Sequence, residues 1–204
     1  IAKFVMSFGV KDVIAVDRLG ILAEGDTRFN VPQQELARIT NRNKLTGTLA
    51  DAMKGADVFI GVSVANCVTK DMVRSMAEKP ILFTCANPVP EIQPADAIEA
   101  GAYILGTGSS EYPNQINNVL VFPGLFRGAL DVRANTVNYE MMQAASRGIA
   151  ASIPEDELAC DRILPYAYER RAHEAVARAV AEAAIATGVS KLYESVEEYL
   201  AVKS

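Results

Sequence analysis

The chain has 204 residues, of which 50% are hydrophobic and 22% are charged, and its formal net charge is −5. This composition predicts one soluble globular domain, and the excess of 25 acidic over 20 basic residues argues against a nucleic-acid partner. Charges, glycine or proline interrupt the apolar stretches well short of the ~20 residues that span a membrane, so we expect no membrane segment.

The N-terminal residues predict a helix over 1–8 that Gly9 ends, followed by a strand over 12–17 that closes with Asp17. The chain opens with Ile1 instead of Met, and no residue stands before the helix to cap it. The opening has no signal-peptide pattern. We therefore expect the chain to be a fragment of a longer protein.

Strand-like and helix-like segments alternate between residues 48 and 106. Apolar strands separated by helices are typical of a parallel sheet covered on both faces, the doubly wound α/β (Rossmann-like) architecture. The predicted strands span residues 57–62, 80–85 and 103–106, and the predicted helices span residues 48–54, 69–78 and 94–100.

After Pro123 the pattern becomes helical. It predicts a dinucleotide-binding core at residues 1–134 and a helical C-terminal part at residues 135–204 that packs on the same domain. Arg127 and Asp131 stand four residues apart and predict a salt bridge within a helix. The predicted helices span residues 125–134, 137–151, 172–187 and 195–203.

Asp17 ends the strand that would be the second of a dinucleotide-binding unit. A carboxylate there accepts hydrogen bonds from the adenosine ribose hydroxyls, although an ordinary turn over residues 17–20 explains the aspartate equally well. The first strand and the G-x-G-x-x-G loop of such a unit would lie just upstream of Ile1. The predicted sheet therefore lacks its first strand and its glycine loop.

Two further strand ends carry candidate binding residues, because doubly wound sheets bind ligands at the carboxyl ends of their strands. Gly61, Val62 and Ser63 combine a close backbone approach with a hydroxyl, and a plain turn is the alternative. Asn87 follows the next strand, and its amide can both donate and accept hydrogen bonds. An Asn87–Pro88 turn is the alternative there.

Residues 114–118 hold three asparagines, among them Asn117 and Asn118, and one glutamine beside an apolar run. Buried amides are costly unless paired, so these residues either cap local backbone or face a polar ligand. Residues 106–111 resemble the start of a phosphate-binding glycine motif, but Glu111 replaces the third glycine and would repel pyrophosphate. We interpret that segment as a strand-end loop.

Cys67, Cys85 and Cys160 have no CxxC spacing, which argues against a disulfide framework or a zinc cluster and favours a reducing compartment. We expect the cytoplasm, with an organelle matrix as the alternative. Neither Cys67 nor Cys85 has an evident histidine partner, and His173 stands at a predicted helix start beside a glutamate. Structural roles are expected for these residues.

Six blocks of sequence carry a family resemblance. The most specific is FPGLFRGALDVRA at residues 122–134. The others are VDRLGIL at 16–22, GTLADA at 47–52, ADVFIGVS at 56–63, ANPVPEI at 86–92 and YPNQINNVL at 112–120. Together, from Ile1 to about Val189, they resemble the C-terminal, cofactor-binding half of malic enzyme in its bacterial-type form.

The resemblance implies an enzyme that oxidises L-malate at C2 with NAD(P)⁺. It then decarboxylates the bound oxaloacetate to pyruvate and CO₂ with a divalent metal, Mg²⁺ or Mn²⁺. The resemblance further implies that Asp17 binds the adenosine ribose and that residues 61–63 line the cofactor. Asn87 and Asn118 would position malate and the nicotinamide ribose, with Asn117 beside them.

The resemblance also puts the lysine base, the tyrosine acid, the metal ligands and the glycine loop in a segment before this chain, so no metal ligand is assigned here. We expect that N-terminal segment to be a partner of this chain. We also expect a homo-oligomer, and we expect no turnover by the 204 residues alone. Asp17 favours NAD, whereas the neighbouring Arg18 suits the 2′-phosphate of NADP. Two alternatives stay open: another NAD-dependent dehydrogenase, and a non-catalytic, truncated module that self-associates.

Overall fold

The computed structural model describes residues 1–203. Its strands are β1 (Val16–Asp17), β2 (Gly20–Ile21), β3 (Val58–Gly61), β4 (Ile81–Thr84) and β5 (Ile104–Thr107). Its helices are α1 (Ala2–Met6), α2 (Val31–Ile39), α3 (Leu49–Met53), α4 (Lys70–Arg74), α5 (Pro94–Glu99), α6 (Phe122–Asp131), α7 (Tyr139–Ala151), α8 (Arg170–Ala186) and α9 (Val196–Lys203). Two short 3₁₀ helices cover Asn118–Leu120 and Glu155–Glu157.

Strands β3, β4 and β5 form a parallel sheet in the order in which they follow each other along the chain. Val58 pairs with Ile81, and Ile81 pairs with Ile104. Leu82 in the central strand is fully buried and packs in one core with residues of α3, α4 and α5. The three predicted strands form within one residue of their predicted bounds, and the predicted α/β class with a parallel sheet is confirmed.

The strand predicted over residues 12–17 forms only in part and does not join this sheet within the described residues. Only Val16–Asp17 forms a ladder, and it pairs antiparallel with Gly20–Ile21. The turn between them uses Gly20, whose φ of +110° a glycine adopts without strain. Because residues 1–203 offer this segment no parallel neighbour, its backbone groups pair with the returning chain instead.

Helix α2 has no counterpart among the predicted elements, although its start is well marked in the sequence. The Asn30 side chain accepts a hydrogen bond from Gln33 N, and the Gln33 side chain accepts one from Asn30 N, each at 3.0 Å. Pro32 stands in the first turn, where its missing N–H costs nothing. The pair is a capping box built from two amides instead of a hydroxyl and a carboxylate.

The four helices predicted after Pro123 all form and make a second core. Gly124 and Gly128 lie on the face of α6 that contacts α8, where a Cβ on Gly124 would be 2.6 Å from the Cβ of Val176. Val176 is fully buried, and the predicted Arg127–Asp131 salt bridge forms at 2.8 Å. Small residues on α6 thus allow the close helix approach on which this core depends.

Several predicted helix bounds differ from the structure by two to four residues. Helix α6 begins at Phe122, three residues before the predicted start at 125, because Pro123 fits the first turn of a helix. Helix α4 ends at Arg74 although its pattern predicts a helix to residue 78. Its predicted cap is confirmed, since the Thr69 hydroxyl accepts from Met72 N at 3.2 Å. Within residues 1–203 no helix is long and apolar enough to cross a membrane.

Candidate functional site at the carboxyl ends of the strands

The three parallel strands end side by side. Gly61 pairs with Thr84, and Thr84 pairs with Thr107, so the loops that follow leave from one edge of the sheet. Both threonines are buried. In parallel α/β sheets this edge is the place where ligands bind. The candidate residues at 61–63 and at 87 therefore lie on two neighbouring loops.

The carboxylate of Glu91 joins these two loops. Its Oε1 accepts a hydrogen bond from Ser63 N at 2.9 Å, and its Oε2 accepts one from Ala86 N at 3.0 Å. Glu91 is fully buried, with 0% of its surface exposed. Glu91 is not among the site residues that the sequence predicts. The signal that points to it is its position as the one charged residue in the block at 86–92.

Gly61 leaves the space that this carboxylate fills. A Cβ built on Gly61 would lie 2.5 Å from Glu91 Cδ and 2.8 Å from Cε1 of the Phe59 ring. The sequence predicts a glycine here for the close approach of a ligand, and in the structure the group that approaches is Glu91. Val62 and Ser63 lie next to it and are exposed.

Asn87 lines a cavity of about 390 Å³ between the loops that follow β4 and β5. The side chain is exposed, and its amide has no hydrogen-bond partner among residues 1–203. Gly108, Ser109 and Gln115 also line this cavity. An open cavity with a free amide on one side is suited to a ligand that offers both donors and acceptors.

The side-chain amides at residues 114–118 differ in whether they already bind other parts of the chain. Asn114 is buried: its amide donates to Leu105 O at 3.1 Å and to Cys160 O at 2.9 Å, and its oxygen accepts from Ile163 N at 2.8 Å. Asn117 caps the 3₁₀ helix by accepting from Val119 N at 3.0 Å. The backbone-binding alternative is found for Asn114 and Asn117, whereas a polar ligand facing the cluster stays a prediction.

The Asn118 amide is exposed and unpaired within the described chain. Ile116 N donates to Thr107 O at 2.7 Å, so the chain returns to the end of β5 two residues before Asn118. Asn118 thus belongs to the same edge of the sheet as Asn87.

The glycine segment at residues 106–111 is a strand-end loop held by its own side chains. Ser109 N donates to the Thr107 hydroxyl at 3.1 Å, and Glu111 N donates to the Ser109 hydroxyl at 3.2 Å. Two of its amides are therefore already satisfied within the loop. The segment follows β5 directly and lines the cavity beside Asn87.

Asp17 lies apart from this edge, in the β1–β2 hairpin. Gln33 of α2 donates to its Oδ2 at 2.9 Å. The other carboxylate oxygen has no hydrogen-bond partner in residues 1–203, and the side chain is half-buried. Arg18 beside it is exposed and makes no ion pair within the described residues. Gln33 therefore orients the carboxylate and leaves one oxygen for a ligand.

The two half-buried cysteines near the site are poor nucleophiles. Burial raises the pKa of Cys67, and the negative charge of Glu91 raises it further. The same two causes raise the pKa of Cys85. Since only the thiolate is nucleophilic, both side chains stay in the inert form at neutral pH. His173 Nε2 donates to Ala167 O at 2.9 Å, whereas its buried Nδ1 has no hydrogen-bond partner within the described residues.

The residues present fit a dinucleotide better than they fit a metal. Asp17 offers a carboxylate oxygen for a ribose hydroxyl, and Asn87 and Asn118 offer free amides. A divalent metal of the Mg²⁺ or Mn²⁺ type needs a set of oxygen ligands. In the part of the chain that the structure describes, no three His, Cys, Asp or Glu side chains are grouped to hold an ion.

A parallel α/β sheet with polar loops at its carboxyl edge is the fold class that binds dinucleotides. Residues 7–185 match the family model described as "Malic enzyme, NAD binding domain". The chain belongs to the malic enzyme family, and the part of the family that it represents is the NAD-binding domain.

Relatives of known name support this assignment. The bifunctional malic/malolactic enzyme of Bacillus subtilis is 50% identical over 97% of this chain and 48% of its own length. The NAD-dependent malic enzyme of Geobacillus stearothermophilus is 47% identical over 93% of this chain and 39% of its own length. The solved NAD-dependent malic enzyme of Thermotoga maritima superposes with a TM-score of 0.83 at 45% identity, covering 88% of this chain and 47% of that one. The chain spans between 39% and 48% of the length of these three relatives.

The relatives do not agree on the cofactor. The Geobacillus enzyme is named NAD-dependent, whereas an NADP-dependent malic enzyme of Rhizobium meliloti is 41% identical over 91% of this chain and 26% of its own length. The cofactor preference that Asp17 and Arg18 give this chain stays a prediction.

Proposed function

We propose that this chain is the cofactor-binding half of an enzyme that oxidises L-malate with NAD(P)⁺ and decarboxylates the product to pyruvate and CO₂. The observation that carries the proposal is the free amide of Asn87, which lines the cavity at the carboxyl edge of a malic enzyme NAD-binding domain. Asn118 supplies a second free amide at the same edge.

In this proposal the two amides orient the substrate. Each can donate to a carboxylate or hydroxyl oxygen and accept from a hydroxyl, which are the groups that malate and a nicotinamide ribose present. When bound, NAD(P)⁺ supplies the hydride acceptor. Fixing C2 of malate against that acceptor removes orientational freedom that would otherwise slow the transfer.

The remaining residues bind the cofactor. Asp17 accepts a hydrogen bond from the adenosine ribose on the oxygen that Gln33 leaves free. Residues 61–63 line the cofactor at the end of β3, and Asn117 holds the backbone turn that presents Asn118. Proton transfer and metal-assisted decarboxylation need groups beyond those described here. We therefore propose an upstream segment as a partner and expect the 204 residues alone to be inactive.

An alternative function is a non-catalytic module that associates with itself. One observation favours it: within the described chain β3 pairs only with β4, and Val58, Ile60 and Val62 along it are exposed. An open strand edge with apolar side chains invites pairing with another chain. Another NAD-dependent dehydrogenase of the same fold is the second alternative.

The test uses the full-length protein that contains this chain, with L-malate, Mn²⁺ and either NAD⁺ or NADP⁺. Equal amounts of reduced cofactor and pyruvate are the expected result. Reduced cofactor with oxaloacetate and no pyruvate would instead indicate a simple malate dehydrogenase. The absence of reduction with both cofactors would contradict the proposal. Lactate is assayed in the same tube, because the Bacillus subtilis relative is named a malic/malolactic enzyme.

A further inference from the structure

We propose that Glu91 is a positioning residue, whose buried carboxylate fixes the loop of Asn87 relative to the loop at residues 61–63. The inference rests on the proposed function, since it concerns the two loops to which malate and the cofactor are assigned. Glu91 itself is fully buried and does not contact a ligand. Its effect on the reaction is therefore transmitted through the backbone.

The hydrogen bonds of Glu91 use both of its oxygens. One binds the amide of Ser63, two residues after the end of β3, and the other binds the amide of Ala86, immediately before Asn87. A buried carboxylate is costly unless it is hydrogen-bonded, and two backbone N–H groups provide that compensation here. Loss of either bond leaves a buried polar group without a partner.

The bond to Ala86 closes a short ring of chain. The acceptor is the side chain of residue 91 and the donor is the backbone N–H of residue 86, so the ring contains residues 87–90. The hydrogen bond to Ala86 N therefore fixes the backbone next to Asn87, although the Asn87 side chain makes no hydrogen bond within the described residues. This explains how the side chain stays free for a ligand while its backbone is fixed.

The backbone beside Glu91 holds the other loop as well. Pro90 O accepts from Asn66 N at 3.0 Å, and Glu91 O accepts from Val68 N at 2.9 Å. The segment at residues 90–91 therefore binds the β3 loop at Ser63, Asn66 and Val68. The two strand-end loops form one unit, and the Glu91 side chain is its innermost connection.

The charge of Glu91 is balanced by backbone dipoles instead of a cation. No Lys or Arg forms a salt bridge with it in residues 1–203, and its charge contributes to raising the pKa of Cys67 and Cys85. A carboxylate that accepts two N–H bonds cannot be replaced by an amide. Glutamine offers one accepting oxygen, and its NH₂ group would face the second N–H donor.

The test compares Glu91→Gln with Glu78→Gln in the full-length enzyme. Glu78 is an exposed glutamate, so it undergoes the same change of charge outside the site. Amide hydrogen exchange is measured at Ser63 and Ala86, together with kcat and KM for malate and cofactor. We expect Glu91→Gln to speed exchange at one of the two amides. We also expect kcat/KM to fall about 100-fold, the size of effect that an ångström-scale misplacement produces.

Separate values of kcat and KM distinguish a positioning role of Glu91 from a loss of folded protein. A smaller folded fraction lowers the apparent kcat and leaves KM unchanged, whereas displaced loops raise KM for malate and cofactor. Should Glu91→Gln fail to fold, Glu91→Asp takes its place, because it keeps both accepting oxygens on a side chain one methylene shorter. We expect it to retain more activity than the amide variant.

Two results would overturn the proposal: wild-type kcat and KM values in Glu91→Gln, or lost activity with amide protection intact at both Ser63 and Ala86. If the wild-type enzyme itself shows no malate-dependent reduction, the proposed function fails. The exchange measurement then still decides whether Glu91 holds the two loops together.

Discussion

Gly61 and Glu91 share one space at the edge of the sheet. The Cβ that residue 61 lacks would lie 2.5 Å from Glu91 Cδ, and Glu91 reaches past this point to bind Ser63 N. The glycine at the end of β3 and the glutamate after β4 are therefore parts of one arrangement. A change at either position alters the fit of the other.

Gly61→Ala is expected to destabilise the protein by about 1–3 kcal/mol, because the added methyl overlaps a buried carboxylate and a packed ring. Combined with Glu91→Asp, which retracts the carboxylate by one methylene, the same methyl has more room. We expect the double variant to lose less than the sum of the two single variants. Urea titration measures the free energy of unfolding of wild type, of the two single variants and of the double variant.

Gly108→Ala is the matched control, since the nearest atom to its Cβ is 3.9 Å away. It should combine additively with Glu91→Asp. Additive losses for Gly61→Ala and Glu91→Asp as well would mean that the two residues do not share the space described.

Asn87 and Asn114 form a second matched pair, because both are asparagines of strand-end loops but only one is buried. Asn87→Ala should leave the free energy of unfolding within about 0.5 kcal/mol of wild type, as expected for an exposed side chain without partners. It should lower malate turnover strongly. Asn114→Ala removes three hydrogen bonds from a buried amide to partly buried backbone groups and should cost about 1–3 kcal/mol.

Urea unfolding and steady-state kinetics on both variants check this difference. A large loss of stability in Asn87→Ala would show that its amide is structural. Normal turnover in that variant, with malate and cofactor both below saturation, would remove Asn87 from the site.

The contrast between these asparagines also defines what the sequence could predict. Apolar runs bounded by turn residues were sufficient for β3, β4 and β5, since the strands depend on local pattern and burial. The amides at 114, 117 and 118 look alike in sequence, yet their roles depend on which distant carbonyls come near them. Leu105 and Cys160 meet at Asn114 only in the folded chain.

Glu91 could not be predicted for the same physical reason. The backbone N–H groups of Ser63 and Ala86 donate to its two oxygens, and they come close to each other only when β3 and β4 align. The hairpin at residues 16–21 differs from the predicted strand because pairing depends on which neighbours are present, and an isolated segment does not specify them. The capping box at Asn30 and Gln33 is the exception, a purely local signal from which α2 could have been predicted.

The hairpin is the place where cofactor choice is expected to be decided. Asp17→Ala removes the acceptor for a ribose hydroxyl and should weaken NAD⁺ binding about 10-fold or more, the value of a hydrogen bond to a charged group. Arg18→Ala should leave NAD⁺ binding unchanged and weaken NADP⁺ binding. Calorimetric titration of the full-length protein with each cofactor measures both effects.

Asp156→Ala controls for loss of a negative charge, since Asp156 is exposed and lies in the short helix at residues 155–157. Equal NAD⁺ affinity in Asp17→Ala and wild type would exclude Asp17 from the cofactor site. It would leave the carboxylate as the partner of Gln33 alone.

The acid sensitivity of the protein is expected to depend in part on Glu157. Hydrogen bonds from Arg171 and Arg162 lower the pKa of Glu157 from an ordinary value near 4.5 to about 2. A carboxyl whose pKa is lower in the folded state stabilises the fold fully above its unfolded pKa. That contribution declines as the pH falls from about 4.5 and is absent below about 2.

Glu157→Gln removes this contribution, so wild type should be the more stable protein at pH 6 and the difference should shrink towards zero as the pH approaches 2. Thermal unfolding of both proteins across this range measures the difference. Glu155→Gln, at an exposed glutamate two residues away, should give no such pH-dependent gap. The ion pairs of Glu157 are partly solvent-exposed, so high salt should narrow the gap at pH 6. A gap that persists unchanged down to pH 2 would mean that Glu157 acts through packing and not through its charge.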